Sequence, residues 1–229
     1  MHIIDSRYKS CLYYILFLLK ITIYMLYFST FNLYRGFGVD KVRIEFGKMS
    51  ANKKNTAFLA IFVREMSPWR YFKDQAHIKC PAVIMIDRWD GRMGFPGGTL
   101  EEDEGLKEGL KREIKEEIGL NIKTEKLIPV VSHEWKITSH LFALELIEIE
   151  FLHIYYHILN NFSRSILLHS YEEADDSHFL SEITGIKIVP ILNQDGKGID
   201  KFLENGFAGY GKDDFKIFIK EILEVELES

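Results

Sequence analysis

Three glutamates, Glu113, Glu116 and Glu117, stand at positions i, i+3 and i+4 of the segment LEEDEGLKEGLKREIKEEIGL (100–120). In a helix that spacing puts the three carboxylates on one face. Like charges so close destabilise the helix unless a cation neutralises them. Hard oxygen ligands at this density suit Mg²⁺ or Mn²⁺, which also take oxygens from substrate phosphates. Arg112 can pair with Glu104 or a neighbouring glutamate and hold the cluster's geometry. Gly98 permits a backbone turn that brings main-chain atoms near the ions. The chemistry such a set serves is hydrolysis at phosphorus: the ions polarise a phosphate and lower the pKa of bound water, while a carboxylate takes the proton.

A solvated, charged helix has much the same composition, and register separates the two readings. Gly98, Glu104, Arg112, Glu113, Ile114, Glu116, Glu117, Gly119 and Leu120 follow G-x5-E-x7-R-E-U-x-E-E-x-G-U, with U aliphatic, and every position matches. At typical residue frequencies this match arises by chance in about one in ten million chains of this length, so the arrangement is read as a site. The elements that must position it are visible around it. Leu106, Leu110, Ile114 and Ile118 recur at helical spacing and predict a helix over 106–118, with Gly119 ending it at C′. Asp90-Gly91 and GFPGG (94–98) read as turn and loop before it. Ala57–Val63 and Ala82–Asp87 are predicted as buried strands, and Leu127–Ser132, His140–Phe151 and Gly185–Leu192 as further strands. Pro190 marks an edge or a strand end. Asp213–Glu226 has helical spacing, and the alternation of strands and helices predicts an α/β layered fold. Gly206–Lys212 (GFAGYGK) comes close to a phosphate-binding P-loop, but Asp213 stands where that loop needs Ser or Thr.

The glutamate motif is the signature of the Nudix hydrolases, which this chain resembles. IDRWDGRMGFPGG (86–98) and IVPILNQDGKGIDKFLENGFAG (188–209) resemble the small nucleolar RNA-decapping Nudix enzymes, which are also inosine diphosphatases. The resemblance covers roughly residues 57–225. It implies an α/β/α sandwich with a mixed sheet and a loop–helix–loop catalytic motif. It also implies Mg²⁺ or Mn²⁺, and cleavage of a diphosphate linkage in capped RNA or in (deoxy)inosine diphosphate.

Carried over position by position, Glu113, Glu116 and Glu117 become metal ligands, with the Gly97 carbonyl assisting. Glu116, Glu117 and Glu182 are the catalytic carboxylates, Glu182 serving as ligand or base. Glu104, Arg112 and Gly119 hold the motif together with Gly98. Gly98, Arg88, Phe95 and His133 contact the nucleotide. Phe58 and Asp214 stand where the family has a purine-contacting histidine and a purine-reading amide, so base preference is expected to depart from the family's. For Phe58 and Phe95 a core position is the competing reading; for Glu182, a solvated carboxylate. Two other functions stay open: hydrolysis of another nucleoside diphosphate derivative such as ADP-ribose, and a non-catalytic Nudix-fold module that binds RNA or protein. The intact glutamates argue against the second.

At 229 residues the chain suits one domain plus an appendage. Its net charge of −5 provides no global field to draw in nucleic acid, so RNA binding needs a local basic patch. Cys11 and Cys80 suggest neither a disulfide framework nor zinc. Residues 1–48 read as a hydrophobic N-terminal extension and 49–229 as the Nudix domain. Within the extension, CLYYILFLLKITIYMLYF (11–28) is the candidate membrane anchor; the extension otherwise reads as a translated leader ahead of a start at Met49 or as an ordered part of the domain. Expected partners are a nucleotide diphosphate or capped RNA, a second copy in a homodimer, and a membrane only if the anchor is genuine. The expected location is nucleus, nucleolus or cytoplasm, with a membrane-anchored form as the alternative.

Overall fold

The apolar runs of the sequence become the central strands of a sheet buried on both sides. The computed structural model describes residues 42–49, 53–68, 77–168, 183–194 and 197–225. Along the chain come β1 (Val42–Ile44), β2 (Asn55–Met66), β3 (Cys80–Arg88), β4 (Met93–Gly94), β5 (Gly97–Thr99) and helix α1 (Leu106–Ile118). A 3₁₀ turn (Thr124–Lys126) leads to β6 (Ile128–Glu134), β7 (Thr138–Leu146) and helix α2 (Glu148–Leu168). Then follow β8 (Ile183–Pro190), the short pair β9 (Asn193–Gln194) and β10 (Lys197–Gly198), α3 (Ile199–Phe202) and α4 (Gly211–Ile222).

The main sheet runs β1-β6-β7-β2-β3-β4, with β5 added to β2 and β8 to β3. β2 and β7 pair in parallel and the other pairs are antiparallel, which makes the sheet mixed. Successive side chains of a strand point to opposite faces, and the two cores follow that alternation. Leu59, Ile61, Ile84 and Phe142 pack on one face with Leu110, Ile114 and Ile118 of α1 and Phe151 of α2. Ala60, Phe62, Met85 and Leu141 pack on the other with Phe215, Phe218 and Ile219 of α4. The result is the expected α/β/α sandwich. Helix α1 matches its predicted bounds, and Gly119 caps it in the left-handed region with φ 69°.

Two expectations shift. The strand predicted over His140–Phe151 ends at Leu146, and Phe151 belongs to the 21-residue helix α2. Ile, Phe and Tyr dominate EIEFLHIYYHIL, so local β propensity competes with a helical pattern that only packing against the sheet resolves. The C-terminal helix spans Gly211–Ile222 rather than reaching Glu226. Ahead of Met49, β1 pairs with β6 from Val42↔Glu134 to Ile44↔Ser132, and Phe46 packs edge-on against Phe142 at 5.0 Å. Among the described residues no helix is long and apolar enough to cross a membrane. Residues 11–28, where an anchor was expected, lie outside the described residues.

Candidate active site

The pairing of β2 with β5 delivers the glycine loop to the glutamate helix. Thr56↔Thr99, Ala57↔Gly98 and Phe58↔Gly97 are opposed, and α1 begins seven residues after β5. Gly97 has φ +134°, and a Cβ there would overlap the Ala57 carbonyl oxygen. Only glycine lets the loop lie this close to β2. The left-handed turn is therefore at Gly97, whereas the sequence had placed the backbone adaptation at Gly98. At Gly98 a Cβ would collide with the Glu113 carboxylate, so this position is open to make room for that side chain.

Arg112 organises the carboxylates. Its Nε and Nη2 donate to the two Glu104 oxygens at 3.0 and 2.9 Å. Its Nη1 donates to Glu113 Oε1 and Glu116 Oε2, each at 2.9 Å, and its Nη2 also reaches the Thr99 carbonyl oxygen at 3.2 Å. One guanidinium thus serves three carboxylates, which leaves the cluster negative. The Arg112 hydrogen bonds hold the Glu104 carboxyl below its ordinary pKa. Burial pushes Glu113 up in spite of the same arginine. The arginine therefore does not offset the whole cost of burying Glu113, and this part of the cluster accommodates further positive charge. Glu117 is anchored separately, accepting the Gly97 N–H through Oε2 at 2.6 Å.

These groups line a cleft of about 570 Å³ together with Thr56, Phe58, Arg88, Gly98, Thr99, Leu100 and Glu101. Among the described residues no three acidic, histidine or cysteine side chains converge closely enough to hold an ion unaided. Glu113 and Glu116 turn to Arg112, and Glu117 turns to Gly97. In chemistry the donors still fit a hard divalent cation, since all are oxygens and the ligand set is completed by substrate phosphate.

The structure brings Phe58, Arg88, Gly97, Gly98, Glu113, Glu116 and Glu117 to this cleft, with Glu104 held behind it by Arg112. Other expected contacts go elsewhere. Phe95 is 3% exposed and packs against Phe215 and Phe218, so it is a core residue. His133 and Asp214 are both buried and meet each other, His133 Nε2 lying 2.9 Å from Asp214 Oδ1. The Tyr210 ring stacks on His133 at 5.0 Å. His133 opposes Ser139 and Ser139 opposes Thr56, so His133 shares a sheet face with the cleft floor but lies two strands away. Glu182 lies outside the described residues. Thr56, Thr99, Leu100 and Glu101 line the cleft without having been singled out from the sequence. Nothing local marks Thr56, whose place depends on a pairing with Thr99 forty-three residues on. GFAGYGK contributes the turn into α4, bridged to Met93 through Phe207, and the Tyr210 ring that stacks on His133.

Comparison with known proteins places this geometry in a lineage. The chain is similar to the U8 snoRNA-decapping enzyme of Xenopus laevis, at 34% identity over 140 residues, covering 57% of this chain and 59% of that protein. It is similar to the Mus musculus enzyme of the same name at 33% identity over 135 residues, covering 58% and 65%. The matches thus span less than two thirds of either relative's length. Among solved structures, a mutT/nudix family protein from Listeria innocua aligns with TM-score 0.46 at 18% identity, covering 75% of this chain and 94% of that one. A Bacillus subtilis pyrophosphohydrolase aligns with TM-score 0.42 at 13% identity, covering 80% and 90%. Residues 66–223 match the family described as Nudt16-like, U8 snoRNA-decapping enzyme-like, and the chain belongs to that family.

Proposed function

We propose that the protein is a Mg²⁺- or Mn²⁺-dependent hydrolase that cleaves a diphosphate linkage in capped RNA, in (deoxy)inosine diphosphate, or in both. The observation that carries this reading is the set of Glu113, Glu116 and Glu117 on one face of α1, lining a cleft beside the Gly97–Gly98 loop. Glu113, Glu116 and Glu117 would hold the cations, with the Gly97 carbonyl and Glu182 as further candidates. When bound, the cations polarise a phosphate oxygen and lower the pKa of a coordinated water. Arg112 keeps Glu113 and Glu116 in register, and the Gly97 amide fixes the direction of Glu117. Glu117, or Glu182, accepts the proton of the attacking water. The water oxygen bonds to phosphorus as the bridging P–O bond breaks, and a nucleoside monophosphate or an RNA 5′-monophosphate leaves. Arg88 and Phe58 border the same cleft and are the nucleotide-contacting residues of this reading. By the same reading the protein works in the nucleus or nucleolus, where a small nucleolar RNA cap would be met.

The test is a panel of inosine diphosphate, capped RNA and ADP-ribose, each with and without Mg²⁺ or Mn²⁺. Cation-dependent release of monophosphate from the first two, with kcat/KM well above that for ADP-ribose, is expected. Preference for ADP-ribose would move the substrate assignment. No turnover of any substrate with either cation would leave a binding module.

A further inference from the structure

Beyond the floor of the cleft the surface changes character. Thr56, on the floor, donates its hydroxyl to the Thr138 carbonyl at 3.3 Å. The Thr138 N–H donates to the Lys54 carbonyl, and the N–H of Leu100, also in the cleft, donates to the Asn55 carbonyl, both at 2.9 Å. The tip of the β6–β7 hairpin is therefore tied directly to the cleft wall. That tip carries Trp135, 40% exposed, with the Lys136 ammonium 4.8 Å from its ring centre. Lys53 bonds Glu134 at 2.7 Å. Lys53, and after it Lys48, draws the Glu134 carboxyl pKa down. Lys54 is exposed beside them. At the tip of this hairpin, then, Lys136 lies over an exposed indole, Lys53 pairs with Glu134 and Lys54 is exposed, in a chain whose net charge is −5.

This is the local basic patch that the composition demanded of any RNA binder, and its contents fit one occupant better than others. An acidic polypeptide would use the lysines but has no need of a large aromatic face. A free nucleoside diphosphate offers one base and one diphosphate, with no chain to continue along a row of lysines. A polynucleotide that continues outward from a diphosphate in the cleft presents both phosphates for lysines and base faces for an indole. We propose that the β6–β7 tip is a track for single-stranded RNA, with a base near the scissile linkage stacking on Trp135 and the adjoining phosphates running along Lys53, Lys54 and Lys136. This inference rests on the diphosphate-hydrolase reading of the cleft.

The experiment compares the full chain with Trp135→Ala and with a Lys53→Gln, Lys54→Gln, Lys136→Gln triple variant. One readout is kcat/KM for a short capped single-stranded RNA against kcat/KM for inosine diphosphate. The other is equilibrium binding of a fluorescent single-stranded RNA bearing a 5′-monophosphate, by anisotropy at several salt concentrations, which needs no turnover. Trp135→Ala is expected to weaken RNA binding by about fivefold to a hundredfold. The triple variant is expected to flatten the salt slope by about 0.7 per lysine removed. Both should lower kcat/KM for capped RNA and leave that for inosine diphosphate within about twofold. Equal losses on the two substrates, or unchanged RNA affinity in both variants, would overturn the track. Failure of the wild type to hydrolyse either substrate while its RNA binding still depends on Trp135 would instead overturn the hydrolase reading alone.

Discussion

Glu113, Glu116 and Glu117 on α1 and Asp214 on α4 are all acidic helix residues, yet the three glutamates line a cleft while Asp214 is 2% exposed against His133. The difference lies in how charge is matched. On α1 a single guanidinium serves Glu104, Glu113 and Glu116, so negative charge is left over and faces solvent. On α4 one carboxylate meets one imidazole under the Tyr210 ring, and the pair closes the gap between helix and sheet. An unbalanced cluster leaves charge for a cation to meet, whereas Asp214, buried against the sheet, is part of the joint between helix and sheet. Cys80 belongs with the second kind of group: burial pushes its thiol up to about 11, which leaves it inert.

The sharpest way to break this comparison is to exchange the expected phenotypes. Glu117→Gln keeps the side chain's size and removes its charge, so turnover is expected to fall by about 10²–10⁴-fold. The thermal midpoint should stay within about 3 °C, given that surface substitutions usually change stability by no more than ~0.5 kcal/mol. Near-wild-type kcat in this variant would take Glu117 out of the chemistry.

Asp214→Ala should behave in the opposite way. Removing a buried polar group and leaving its neighbours unpaired costs about 1–3 kcal/mol, to be read from the urea midpoint at constant m-value. If stability holds and kcat/KM for inosine diphosphate falls instead, Asp214 reads the base, as the family resemblance implied, and the joint described here is wrong.

A smaller effect comes from His140, a buried histidine whose partner is the Ser132 hydroxyl at 2.7 Å rather than a carboxylate. Burial lowers its pKa from 6.5 to about 4. Between those values the unfolded chain binds a proton that the folded chain refuses. Stability present above pH 6.5 is therefore lost as pH falls towards 4, with a slope approaching about 1.4 kcal/mol per pH unit. His140→Gln should flatten this limb in urea titrations run from pH 7 to pH 4.5. An unchanged slope would show that other groups govern acid sensitivity.

What could be read without the structure follows the range of the interactions. Helix α1 and its cap were legible residue by residue, because a four-residue apolar repeat and a terminal glycine report short-range geometry. So was the shared face of the three glutamates. Phe95 stayed open between cleft and core because an aromatic residue next to a glycine loop looks the same in sequence whether it turns into the cleft or towards Phe215 and Phe218, which lie 120 and more residues away. β1 was not legible for a related reason: it is three residues long and is a strand only because β6 offers it an edge.

The sequence by itself determined which carboxylates share a face, because spacing along one helix is a property of the local backbone. It also determined the fold class, through apolar runs and helical repeats that no single long-range contact can overrule. Only the tertiary structure decided which groups stay open and which are closed off. Asp214 became a joint through His133, 81 residues earlier in the chain. Thr56 came to line the cleft through Thr99, and the hairpin that carries Trp135 was tied to Thr56 through the pairing of β2 with β7. Exposure and charge matching depend on strands that meet across long stretches of chain, and no local pattern encodes where those strands will pair.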